Sequence, residues 1–165
     1  MPSTNASSVR TLFPGINSVP DPSMVVSTYQ WYTLEHLSGS LLSFDHFNGR
    51  FAPELAESWR IDGTTFEFTL SSSAKFHDGS PVSSNDVAAS IKRLIVKRSS
   101  THFPVWTYLK GCSDLKSIDS DCEGITVVNN RVIQFHLREL SESFFLLLAS
   151  PEGGIWSKAD LLTDS

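Results

Sequence analysis

The chain is poor in the residues and patterns that most often carry chemistry or cross membranes. Its 165 residues include two Cys, two Met and 13 Lys plus Arg, and the net charge is −5. No basic cluster exceeds Lys92-Arg93 and Lys97-Arg98. Phosphate neutralisation needs a concentrated basic surface, so nucleic acid is not an expected partner. No run approaches the ~20 apolar residues of a membrane span. The longest apolar cluster, Phe144 to Ala149, suits only a buried helix. GxGxxG, Walker A, HExxH, GxSxG and CxxC are all absent. His77 and Asp78 are adjacent, so in a strand they point to opposite faces and cannot share a catalytic triad. The five histidines (His36, His46, His77, His102, His136) include no i, i+2 or i, i+4 pair. The expectation is a protein that is not an enzyme, with no metal and no cofactor.

Cys112 and Cys122 stand ten positions apart. They are either a disulfide, adding roughly 2–3 kcal/mol by chain entropy, or two free thiols; an exported setting favours the bond. Neither has a Cys or His neighbour at zinc-ligand spacing. Met1–Ser8 has neither a basic nor an apolar signal region and reads as a disordered lead-in, with one domain over 9–165.

What is present suits a packed core. The chain is 40% hydrophobic, with eleven Phe and four Trp. Its 19% charged residues fall below the usual ~25%. A chain of this size buries about two-thirds of its unfolded surface.

Val9–Phe13 reads as a strand and Val19-Pro-Asp-Pro22 as a rigid turn. Ser23 then caps a helix running to about Leu37. That helix has two apolar stripes, one on Val26, Thr33, Leu34, Leu37 and Leu41, the other on Val25, Tyr29, Tyr32 and His36. Such a helix is buried on both sides or lines a pocket with one of them. Leu41–Phe44 is a short strand before an Asn48-Gly49 turn. Trp59 reads as buried, and Asp62-Gly63 as a two-residue hairpin turn into Phe66–Leu70. There Phe66, Phe68 and Leu70 share one face, the period of a half-buried strand. After an Asp78-Gly79 turn and Pro81, Ser83 or Ser84 caps a helix to about Arg98 that buries Val87, Ile91, Leu94 and Ile95. Thr101–Lys110 is aromatic-rich and interrupted by Pro104. Ile125–Val128 and Val132–Arg138 form a hairpin about Asn129-Asn130, and Ser141 caps a last helix that buries Phe144, Phe145 and Leu148. Pro151–Gly154 ends it, and Ile155-Trp156 begins an extended segment. Strands and helices mix without strict βαβ alternation, so the class is α+β, or α/β-like with a mixed sheet. Tyr29, Tyr32, Trp106 and Tyr108 are either core aromatics or the lining of a ligand pocket.

One run of residues carries a wider resemblance: Asp21-Pro22; Pro53, Leu55-Ala56 and Ser58-Trp59; Phe66, Phe68 and Leu70; Phe76-His-Asp-Gly79, Pro81 and Asp86-Val87; and Val132–Leu137 before the Phe144–Leu148 helix. In this order and spacing the chain resembles the bacterial extracellular solute-binding proteins of family 5, which serve oligopeptide, dipeptide and nickel importers. The resemblance implies the N-terminal portion of the first lobe of a type II periplasmic-binding-protein fold. It implies a binding component of an ABC-type importer for peptides or related small solutes, with a membrane permease as partner. It also implies a periplasmic or extracytoplasmic location, with or without a membrane anchor. By segment, Ser27, Tyr29 and Tyr32, then Trp106 and Tyr108, then Gly153 and Ile155, fall where the family lines its ligand cleft. Family members are several times longer, so the second lobe is expected to lie outside this chain. Weak solute binding by the chain alone follows, as does homo-oligomerisation through exposed core faces. The alternative is a cytoplasmic small-molecule-sensing domain of a bacterial transcription regulator with the same fold.

Overall fold

A computed structural model describes residues 21, 23, 27–97 and 104–163, without the side chains of 106, 162 and 163. The expected strand at Val9–Phe13, most of the Val19–Pro22 turn and the lead-in at 1–8 lie outside the described residues.

The strongest local signals build the centre. Helix α2 (Ser84–Val96) buries Val87, Ile91, Leu94 and Ile95 on one stripe. Strands β3 (Ala56–Asp62) and β4 (Thr65–Leu70) form an antiparallel hairpin. β5 (Ile125–Asn129) and β6 (Val132–His136) form another. β4 joins β6 antiparallel, giving a four-stranded sheet of order β3-β4-β6-β5. Alternation puts Phe66, Phe68, Leu70, Ile133 and Phe135 on one buried face. α2 and α4 (Glu142–Leu148) cover that face, and Phe144 meets the rings of Phe66 and Phe135 at 6.2 and 5.3 Å. Edge-to-face aromatic contacts of this kind add about 0.5–1.5 kcal/mol each beyond burial. The opposite face is polar. There Glu67 accepts from Arg60 (3.2 Å) and Gln134 (2.6 Å), and the two nitrogens of His136 meet the hydroxyls of Thr65 and Thr126.

A smaller hairpin, β1 (Leu42–Asp45) with β2 (Arg50–Pro53), stands beside the sheet. Its turn needs Gly49, whose φ is +63°. Helix α1 (Thr28–Leu37) precedes it; α3 (Val105–Tyr108) follows α2; a 3₁₀ turn (Pro151–Gly153) and α5 (Lys158–Thr163) close the described chain. Cys112 and Cys122 are joined in a disulfide, with Cα atoms 5.1 Å apart.

Several expectations need correction. The cap of α1 is Ser27, whose Oγ accepts from Gln30 N, not Ser23. Ser23 is occupied elsewhere: its N–H and hydroxyl both donate to Asp21 Oδ1. α1 is not buried on two sides. Only Leu34 is buried, while Tyr29 and Tyr32 are 49% and 47% exposed. Trp59 is half-buried, on the rim of an apolar groove. The first hairpin loop is Gly63-Thr64, because Asp62 still pairs with Thr65 and the positive φ falls on Gly63. The second is Asn130-Arg131. Asn129 Oδ1 accepts from the amides of Arg131 and Val132, so Asn129 ends the strand and holds the turn. α2 ends at Val96, a little short of the expected end, and Ile155-Trp156 leads into α5.

Candidate functional site

Two of the three segments expected to line a cleft meet. α1 runs past the 3₁₀ turn, and its exit is tied to the segment that follows: Ile155 N donates to Gly39 O (2.8 Å), and Ser40 Oγ donates to Ser150 O (2.8 Å). This approach requires small residues. A Cβ on Gly153 would lie 2.1 Å from Leu147 O, and one on Gly154 would lie 2.2 Å from Ser38 Oγ. Gly153 and Ile155 are therefore buried, and they form the floor on which α1 sits.

Above that floor α1 presents Ser27, Tyr29 and Tyr32 to solvent. Trp31 packs edge-on against Tyr32 at 5.9 Å. His77, in the turn before α2, is hydrogen-bonded to Leu37 O (3.1 Å) and fastens that turn to the end of α1. Exposed tyrosines offer apolar area and a hydroxyl at small entropic cost. Tyr108 is held differently. It is half-buried, its ring meets Phe144 edge-on at 6.3 Å, and its carbonyl accepts from Arg138 N (2.8 Å). Trp106 lies on α3, and its side chain is outside the described residues.

The electrostatics around these segments are structural. Burial alone would raise the Asp21 carboxyl, but hydrogen bonds from Arg93 and Ser23 outweigh it and hold the group below its ordinary value. Glu54 is raised by burial, offset in part by the amide of Ser40. Asp78 is lowered by Ser80 within its own turn. Among the described residues no group of three or more His, Cys, Asp or Glu is placed to hold a metal ion, and no helix is long and apolar enough to cross a membrane.

Sequence reasoning missed two cavities. An apolar groove of about 820 Å³ lies between the β1–β2 hairpin, β3 and α4. A smaller polar pocket lies between α2 and β5. Both depend on elements far apart in the chain, and no local pattern marks them.

Residues 50–161 match the family described as bacterial extracellular solute-binding proteins, family 5 Middle. The chain belongs to this family of solute-binding proteins, which are not enzymes. The oligopeptide-binding protein SarA of Streptococcus gordonii is 32% identical over 120 residues, covering 67% of this chain and 18% of SarA. The murein tripeptide-binding protein MppA of Escherichia coli superposes with a TM-score of 0.73 at 22% identity, over 87% of this chain and 29% of MppA. OppA of Listeria monocytogenes, bound to peptide, gives 0.74 at 20% identity, over 88% and 30%. These structures share the fold, a type II periplasmic-binding-protein architecture. The chain spans less than a third of the length of each relative.

Proposed function

We propose that this chain forms one wall of the solute cleft in the binding component of an ABC-type importer for peptides or related small solutes. The observation that carries this reading is the family match over residues 50–161, with an oligopeptide-binding protein at 32% identity. Its geometry is consistent: Ser27, Tyr29 and Tyr32 stand exposed on a helix fixed to Gly153–Ile155. Tyr108 and Trp106 are proposed to reach the same cleft from α3. The protein works outside the cytoplasmic membrane and delivers its solute to a membrane permease. None of the relatives reported above is a transcription regulator.

A cleft closed by two lobes holds its ligand through the closed population. A single wall supplies only part of those contacts, so the 165-residue chain alone binds peptides weakly or not at all. Calorimetric titration of the chain with peptide pools should give no saturable heat. A chimera tests the recognition itself. Residues 27–161 replace the matching part of SarA, and the chimera should bind peptide. Tyr29→Ala with Tyr32→Ala should weaken it about tenfold. Micromolar affinity in the isolated chain would sink the shared-cleft reading. A folded chimera blind to peptides would sink peptide recognition.

A further inference from the structure

α2, the disulfide-closed loop, β5 and the start of α5 enclose a second pocket, of about 370 Å³. It shares no residue with Ser27–Tyr32, Trp106–Tyr108 or Gly153–Ile155. α2 lines it with Asn85, Ala88, Ala89 and Lys92, the i, i+3, i+4, i+7 positions of one helical face. Two alanines in the middle of that face leave the space open, and Ile118 and Ile125 make the opposing wall apolar.

Lys92 is the informative group. The residue is only 8% exposed, although it carries a charge. Its ion-pair partner, Asp121 Oδ1, is 3.7 Å away, beyond N–H···O hydrogen-bonding distance, and the Asp121 side chain is fully exposed. A lysine can pack its hydrocarbon stem under neighbouring side chains while its ammonium reaches for water or an anion. The stem of Lys92 is covered, while its Nζ is not sealed from solvent and has the exposed Asp121 as its ion-pair partner. A second pair in the same pocket, Lys158 Nζ with Asp119 Oδ1, is close at 2.7 Å. Lys158 is itself positioned by its amide, which donates to Asp86 Oδ1 (2.9 Å).

The two lysines and two aspartates of the lining cancel. A purely anionic ligand meets both carboxylates, and a purely cationic one meets both ammonium groups. A ligand with separated opposite charges satisfies each side. The volume is at the lower end of small-ligand pockets, about 300–1,000 Å³. We propose that this pocket binds a zwitterion of amino-acid size with an apolar side chain. Its carboxylate accepts hydrogen bonds from Lys92, its ammonium group faces Asp119 and Asp121, and its hydrocarbon part lies on Ala88, Ala89 and Ile118. The Cys112–Cys122 bond closes the loop that carries both aspartates, so the acidic half of the site depends on it.

An amide NMR titration of the 165-residue chain tests this with three probes: L-leucine, isocaproate, which keeps only the carboxylate, and isoamylamine, which keeps only the ammonium group. Leucine should give saturable shifts at Ala88, Ala89, Ile118 and Thr126. Each half-molecule should bind at least about tenfold more weakly. Lys92→Met and Asp121→Asn should each weaken leucine by about the same factor, and so should reduction of the disulfide. Should Lys92→Met lose its dispersed spectrum, Asp121→Asn decides, because that side chain is fully exposed and its loss leaves the core intact. The proposal is overturned if leucine gives no saturable shifts, if either half-molecule binds as tightly as leucine, or if Asp121→Asn binds like wild type. Shifts confined to Ser27–Tyr32 would also overturn it, while leaving the cleft reading in place.

Discussion

Asp21 ties together parts of the chain 72 positions apart. Its Oδ2 accepts from Arg93 Nη2 at 2.5 Å, while its Oδ1 takes the amide and hydroxyl of Ser23. Burial opposes the charge, but the hydrogen bonds win and the pKa falls below its ordinary 3.8. The sign of the linkage follows. A carboxyl with a depressed folded pKa contributes its stability fully above the unfolded value and loses it as pH falls through the folded one. Because Asp21 remains a quarter exposed, the contribution is discounted to about 1–2 kcal/mol. Denaturation midpoints of wild type and Asp21→Asn should differ by a constant amount at neutral pH. The gap should narrow below about pH 4. A gap unchanged down to strongly acidic pH would show that the ionised form of Asp21 contributes nothing.

At the scale of elements, α2 depends on one acidic residue for both its start and its partner. Asp86 Oδ2 accepts from the amide (2.9 Å) and hydroxyl (2.6 Å) of Ser83, and Oδ1 accepts from the amide of Lys158. The cap is worth about 1 kcal/mol, and the tie to α5 about as much again. Asp86→Ala should therefore lower stability by about 2 kcal/mol, with Asp86→Asn losing less, read from urea midpoints at constant slope. A loss below about 0.5 kcal/mol would remove Asp86 from this role. α2 and β4 were legible in the sequence because local pattern and burial agree: Val87, Ile91, Leu94 and Ile95 on one, Phe66, Phe68 and Leu70 on the other. α1 was not, because periodicity counts Tyr29 and Tyr32 as apolar whereas neighbouring elements cover only Leu34. Turn registers slipped by one residue where a side chain intervened, as Asn129 does with the amides of Arg131 and Val132. In the sequence Lys92 stands out only as half of a small basic cluster with Arg93. Its burial arises only when β5 and the loop at 118–121 close on α2, a non-local event.

For the whole molecule, the covered and uncovered faces of the core set how it meets other chains. The sheet is covered by α2 and α4 over most of its apolar face, but coverage thins toward β3. There Phe44, Phe51, Trp59 and Ile61 line the 820 Å³ groove together with Leu140 and Leu146. Ile61 is 50% and Leu140 65% exposed, and β3 is an edge strand of the four-stranded sheet. Contiguous apolar surface beside an unpaired strand edge drives association, and a charge on that surface is how natural edges prevent it. The chain should therefore show a mass that rises with concentration in size-exclusion chromatography with light scattering. Ile61→Lys with Leu146→Lys should restore the monomer, since both side chains are largely outside the core and their loss leaves the Phe66–Phe144 contacts intact. A wild-type chain that stays monomeric at every soluble concentration would show that the groove is too narrow or too curved to seat a second copy. An unchanged oligomer in the double variant would move the interface to another face, with the free edge of β5 the next to test.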